Sequence, residues 1–267
     1  MVHKSIRKLR KIFSSKSVIL KLAYSDIKLR YAGSYLGVFW SLLEPFLFIL
    51  TYSLIFPLIL GVSFKNWFLF FITGMIPYRF IRKSILEITT CLVQYSDILE
   101  KSKTNAENIV FAKAISSLVP FLIEISIVTI LVFCFVKPSI YVLLLPIVII
   151  ITFLMVLGFG FYFSVIYPGA RDINYILSVI LDMMMFLTPI VYRINHIPEE
   201  YRGIYLLNPF ARLIYLYQGV FLYSLDFFVE YLPIIRETFI LFLFSVIVFI
   251  LGYRKFEKSK KGAIEMI

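Results

Sequence analysis

The sequence predicts an all-α membrane protein with six transmembrane helices, an N-terminal amphipathic interfacial helix and re-entrant helices before the last span. Three observations predict it: a composition too apolar for a soluble fold, six apolar stretches of membrane-crossing length, and Lys and Arg gathered on alternate loops. Hydrophobic residues make up 61% of the 267 and charged residues 16%, against about 45–50% and about 25% in soluble domains. The mean hydropathy is +0.91. With 28 Phe and 18 Tyr, the excess lies in large side chains that suit lipid tails and the headgroup boundary. The net charge of +11, read beside that hydropathy, points to membrane lipids as partners and not to nucleic acid.

A helix needs about 20 residues to cross about 30 Å of hydrocarbon. Stretches near 37–61, 67–91, 113–136, 139–166, 174–192 and 235–253 qualify. The second and fifth are the weakest, because the second carries Arg79, Arg82, Lys83 and Glu87 and the fifth carries Asp182. Cytoplasmic loops retain Lys and Arg. Eighteen of the 27 basic residues fall in the first 34 residues, the second and fourth loops and the tail, six fall on the opposite side, and three lie within the second span. Both termini are therefore expected in the cytoplasm. No short apolar run with a small-residue cleavage site follows the basic N-terminus, so the chain is expected to insert uncleaved.

Residues 3–31 are too charged to cross, yet Ile6, Leu9, Ile12 and Phe13, then Val18, Leu22, Ile27 and Tyr31, recur near helical spacing. Such a stretch either lies in the interface as a basic amphipathic helix or serves only as a topology signal. Gly33 to Gly37 then turn the chain into the first span. The loop at 94–108 is a short helical piece of mixed charge, suited either to docking on another protein or to simple connection. Between Arg193 and Ile234, Pro198, Pro209 and Pro233 punctuate apolar pieces too short to cross, which reads as re-entrant helices.

Arg79, Arg82 and Lys83 are spaced i, i+3, i+4 and share one helix face. Unsheltered at mid-bilayer they would oppose insertion by about 8–10 kcal/mol. They and their neighbours Tyr78 and Glu87 either line a water-filled pathway for an anionic or hydroxyl-rich substrate, or snorkel to an interface. Lys83 can pair in-helix with Glu87, and Glu44, Glu124 and Asp182 are more distant partners. Motifs for a phosphate loop, a zinc protease and a serine nucleophile are absent, and the two histidines, His3 and His196, lie near expected surfaces. Cys91 and Cys134 sit singly in apolar runs and read as small buried hydrophobes. No metal is expected.

Three stretches resemble the membrane subunit of type-2 ABC exporters, in the polysaccharide and polyol-phosphate branch that includes the O-antigen (Wzm-like) permeases. They are Asp26-Ile27-Lys28-Leu29-Arg30-Tyr31 with Ser34 to Trp40 and Glu44-Pro45, then Tyr167-Pro168-Gly169-Ala170-Arg171-Asp172-Ile173, then Thr188-Pro189-Ile190-Val191-Tyr192 with Ile197-Pro198-Glu199 and Leu207-Asn208-Pro209-Phe210. Order and spacing match over essentially the whole chain. The chain departs from the family at Gly74 to Tyr78, where the Arg79–Lys83 cluster follows in place of an apolar and small-polar helix.

The resemblance implies an interface helix over 1–34 and a six-span permease domain over 35–267. It implies a homodimer in the bacterial inner membrane that pairs with two copies of a separate ATPase subunit. ATP and magnesium would belong to that partner, so this chain is expected to be no enzyme and to hold no cofactor. It places a coupling helix within 94–108, at Asp97, Ile98, Leu99, Glu100 and Lys101, and a substrate entrance at Tyr35, Leu36, Gly37 and Trp40. It makes 193–234 an external re-entrant region and the substrate an undecaprenyl-linked glycan moved outward. Teichoic-acid, capsule or other glycolipid export by the same family remains open here, as does a gradient-driven transporter or channel without an ATPase.

Overall fold

The computed structural model describes residues 15–30, 32–59, 61, 66–101, 104–137, 139–223 and 233–267. Ile6, Leu9, Ile12, Phe13 and Tyr31 of the interfacial reading lie outside them. Among the described residues there are helices and turns and no strand. In chain order the helices are α1 (Lys16–Arg30), α2 (Trp40–Leu54), α3 (Trp67–Gln94), α4 (Ser96–Lys101), α5 (Ala106–Phe135), α6 (Leu145–Ser164), α7 (Ile173–Phe186), α8 (Glu199–Tyr205), α9 (Pro209–Leu222) and α10 (Ile234–Glu265). A one-turn 3₁₀ segment at Gly37–Phe39 leads into α2, another at Ile140–Leu144 leads into α6, and a π turn at Ile55–Ile59 ends α2.

Three of these helices are long and apolar enough to cross a membrane by length and composition: Ala106–Phe135, Ile140–Ser164 and Ile234–Glu265. Two of them extend beyond the apolar stretches read from sequence. α5 begins at Ala106, so Lys113 is a helical residue and not a loop cation, and α10 continues through the basic tail to Glu265. α7 is shorter than the expected fifth span, because the chain leaves the helix at Leu187 before Thr188-Pro189. Its 14 residues rise about 21 Å, short of the hydrocarbon thickness.

The second expected span, one of the two weakest read from sequence, is the centre of the molecule. α3 packs against α2, α5, α6, α7 and α9, and 20 of its 28 residues are buried. Of the charged residues that lower its hydropathy, Arg79, Arg82 and Glu87 pair with side chains on other helices. α9 is buried along its whole length apart from Pro209 and Arg212. It runs against α3, where Gln218 Nε2 donates to the Pro189 carbonyl at 2.6 Å. Arg212 donates through Nε to the carboxylate of the fully buried Glu237 at 2.7 Å, which joins α9 to the first turn of α10.

α6 and α10 make the closest crossing. A Cβ built on Gly252 would overlap the Gly158 carbonyl oxygen, and one on Gly158 would sit 2.7 Å from Val248 backbone atoms. Glycines facing each other let two backbones touch, the way small residues tighten helix pairs in membranes. Of the two cysteines, Cys91 is buried as expected, but Cys134 is exposed on the outer side of α5. An apolar helix bounded by lipid has no need to turn a small apolar side chain inward.

Candidate functional site

The basic face of α3 meets two helices from opposite directions in the sequence. Arg79 Nη2 donates to Glu44 of α2 at 2.9 Å, and its guanidinium lies 5.3 Å from the centre of the Phe48 ring. Arg82 grips Asp182 of α7 with both forks, Nε to Oδ1 at 2.6 Å and Nη2 to Oδ2 at 2.9 Å, and reaches Ser178 at 3.1 Å. The planar guanidinium suits this two-point grip, which fixes rotation as well as distance. Both partners were among the acidic residues that the spacing argument named. Lys83 is exposed and makes no ion pair within 4.0 Å among the described residues. It lines a small polar pocket with Arg30, Glu44, Arg79 and Glu124. Beside that pocket an apolar cavity of about 700 Å³ opens between α2, α3 and α5, with Glu124 in the lining of both.

The other two residues of the expected pore face are held differently. Tyr78 is 1% exposed, and its hydroxyl donates to the Leu181 carbonyl of α7. Glu87 does not pair with Lys83. It accepts from Arg30 Nη2 of α1 at 2.7 Å and from Ser117 of α5 at 2.9 Å, with Lys113 Nζ at 3.9 Å. An i+4 spacing allows an in-helix pair, but a guanidinium and a hydroxyl brought by other helices satisfy more of the carboxylate's lone pairs.

Glu87 belongs to a cluster that sequence reasoning missed. α1 buries Ile19, Ala23 and Asp26, spaced i, i+4, i+7 on one face, against Ala112 of α5, while Val18 stays exposed. The helix is thus docked on α5 through a stripe that ends in a carboxylate. Asp26 accepts from Lys113 Nζ at 3.0 Å, from Ser116 at 2.6 Å, from Arg30 at 3.4 Å and from the Tyr95 hydroxyl. Burial raises the Asp26 pKa, but the hydrogen bonds from Ser116 and Tyr95 and the charge and hydrogen bond of Lys113 outweigh it and hold it below the usual carboxylate value. The carboxylate is ionised at neutral pH. Burial first, then the bond to this carboxylate, pushes the Tyr95 phenol up and keeps it protonated as a donor. The available signal was Lys113 followed by Ser116 and Ser117, three polar residues on one face of an apolar helix, opposite Asp26 and Arg30 at i, i+4.

Asp97, Ile98, Leu99, Glu100 and Lys101 form α4, a six-residue helix with no buried side chain. Asp97 and Lys101 approach to 4.0 Å across one turn. Tyr35, Leu36 and Trp40 are exposed at the turn into α2, and Gly33 and Gly37 take φ values of +75° and +51°, where a side chain would be strained. Among the described residues, no group of three or more His, Cys, Asp or Glu is arranged to hold a metal ion. The site gathers cations of α1, α3 and α5 that are paired with carboxylates on other helices.

A family model described as ABC-2 type transporter matches residues 18–222. An O-antigen export system permease protein RfbA of Myxococcus xanthus is 27% identical over 219 residues, covering 81% of this chain and 84% of its own. Two proteins of that name from Klebsiella pneumoniae are 26% and 27% identical over 253 and 252 residues, in each case 94% of this chain and 95% of the relative. Since the family match runs from α1 through α9 and takes in well over half of the residues, the chain belongs to the ABC-2 type transporter family.

Proposed function

We propose that the chain is the transmembrane subunit of an ATP-driven exporter that moves an undecaprenyl-linked polysaccharide, O-antigen-like, outward across the bacterial inner membrane. The observation that carries this reading is similarity over 94% of the chain to O-antigen export permeases. Two copies form the path, and each pairs with one copy of a separate ATPase subunit. α2, α3, α5, α6, α7 and α10 are the six spans, and both termini face the cytoplasm. α8 and α9 form the external re-entrant region. The burial of α9 supports this: α7 has the same length but exposes most of its side chains wholly or in part, whereas α9 is enclosed by protein, the setting in which the backbone of a re-entrant segment can enter the membrane.

In this reading α4 is the coupling helix, and the exposed Asp97, Glu100 and Lys101 beside the end of α3 leave a charged face free to seat on the ATPase. Replacing Asp97 and Glu100 by Lys is expected to abolish copurification of the ATPase and surface polymer, while the permease still inserts. Unchanged export with unchanged copurification would make α4 a plain connector.

Tyr35, Leu36, Gly37 and Trp40 flank the cytoplasmic entrance, and the basic face of α3 lines the path. Of that face Lys83 is the side chain left for a substrate phosphate, since Arg79 and Arg82 are engaged by Glu44 and Asp182. A cysteine at 83 is expected to react with a membrane-impermeant thiol reagent faster than one at buried position 78. Silence at 83 in both resting and ATP-cycling complexes would move this face out of the path.

A further inference from the structure

The cluster around Asp26 lies at the base of α4, and Tyr95 belongs to both. Its carbonyl accepts the amides of Ile98 and Leu99 at 3.1 Å each, so its backbone forms the first turn of α4. Its hydroxyl donates to Asp26 on α1, 69 residues away. One residue therefore ends α3, starts α4 and holds the interfacial helix. Asp26 is in turn held to α5 by Lys113 and Ser116, while Arg30, one turn on, is held to α3 by Glu87. Beyond Arg30 only a short turn with its positive-φ Gly33 and Gly37 separates α1 from α2.

Resting on the export reading above, we infer that Tyr95 and Asp26 are positioning residues that couple α4 to the interfacial helix, so that a displacement imposed on α4 moves α1 and the turn at Tyr35 to Trp40. The physical case is that the Tyr95 hydroxyl ties α1 directly to the residue whose backbone starts α4. Other contacts of α1 bind it to α5 and α3: Ile19, Ala23 and Leu22 by apolar packing, Asp26 through Lys113 and Ser116, and Arg30 through Glu87. Apolar contacts slide at small cost, whereas a hydroxyl on a buried carboxylate is directional and costly to break in a low-dielectric setting. A shift of one turn of α4 therefore either carries α1 with it or breaks that bond.

Tyr95→Phe tests this, because it removes one hydroxyl and leaves the ring and both buried charges in place. The comparator is Ser117→Ala, which removes a hydrogen bond to Glu87 in the same cluster but none to α4. Both variants are assembled with the cognate ATPase in proteoliposomes containing undecaprenyl-linked glycan extracted from the producing strain, and ATP hydrolysis and glycan export are measured together. For Tyr95→Phe, hydrolysis is expected to persist while export per ATP falls about five-fold or more, the lower range of a coupling free energy between two sites. Ser117→Ala is expected to lower thermal stability and leave that ratio at the wild-type value. An unchanged ratio in Tyr95→Phe, or an equal fall in both variants, overturns the inference and leaves the cluster a structural brace. If the wild-type complex itself exports nothing in an ATP-dependent way, the export reading fails and this inference fails with it.

Discussion

Lys113→Ala is expected to cost the fold about 3–5 kcal/mol, because it leaves the Asp26 carboxylate buried without its cation. Both side chains are 10% exposed, so little solvent is available to screen the orphaned charge. Arg30 remains at 3.4 Å, but Glu87 holds it more closely at 2.7 Å and already claims its charge. The variant should be recovered in low yield, with a lowered melting temperature in detergent by size-exclusion analysis of heated samples. Combining Lys113→Met with Asp26→Asn should recover part of the loss, since an uncharged pair carries no unpaired ion. The sign of the pH dependence follows from the lowered Asp26 pKa: the stabilisation is fully present above its ordinary value of 3.8 and is lost as pH falls through the depressed value. Full stability of Lys113→Ala at neutral pH would contradict the ionic account of how α1 is docked.

Gly252→Leu is expected to prevent α6 and α10 from closing. The added Cβ alone overlaps a backbone carbonyl oxygen, which cannot rotate away as a side chain could. The helices would have to part along the most extensive helix pair in the molecule, and overpacking of a tight core costs about 1–3 kcal/mol even where side chains can yield. Here the loss should exceed that range, read as failure to recover folded protein. Gly262→Leu supplies the control within the same helix, because nothing lies within 4 Å of a Cβ at Gly262. Equal behaviour of the two variants would remove the close crossing from the account.

What the sequence makes legible follows from what kind of signal each feature leaves. Apolar stretches locate most of the helices because burial in lipid is a property of composition. The i, i+3, i+4 spacing puts Arg79, Arg82 and Lys83 on one face, and of Glu44, Glu124 and Asp182, the distant acidic residues able to answer them, Glu44 and Asp182 form the ion pairs. Three things stayed hidden. The window that marks the third span begins only at Lys113, so a buried cation counted as a loop residue. Glu87 had an in-helix partner in reach, and nothing local shows that Arg30, 57 residues away, displaces it. Gly158 and Gly252 are 94 residues apart, and each reads as one more glycine in an apolar run until the two backbones meet. Low hydropathy of 67–91 misled most, since the polar residues that make it look like a poor span are those that fasten it to its neighbours.

The account stands most directly on whether transport by this chain depends on a separate ATPase. The measurement is ATP hydrolysis by the purified chain alone and by the chain with its cognate ATPase in the same liposomes, together with appearance of glycan on the opposite side. The chain alone should hydrolyse no ATP above background and move no glycan. Addition of the ATPase should confer both, and a phosphate-loop lysine substitution in the ATPase should remove both. Glycan movement by the chain alone, driven by an ion gradient or by nothing, would contradict the account.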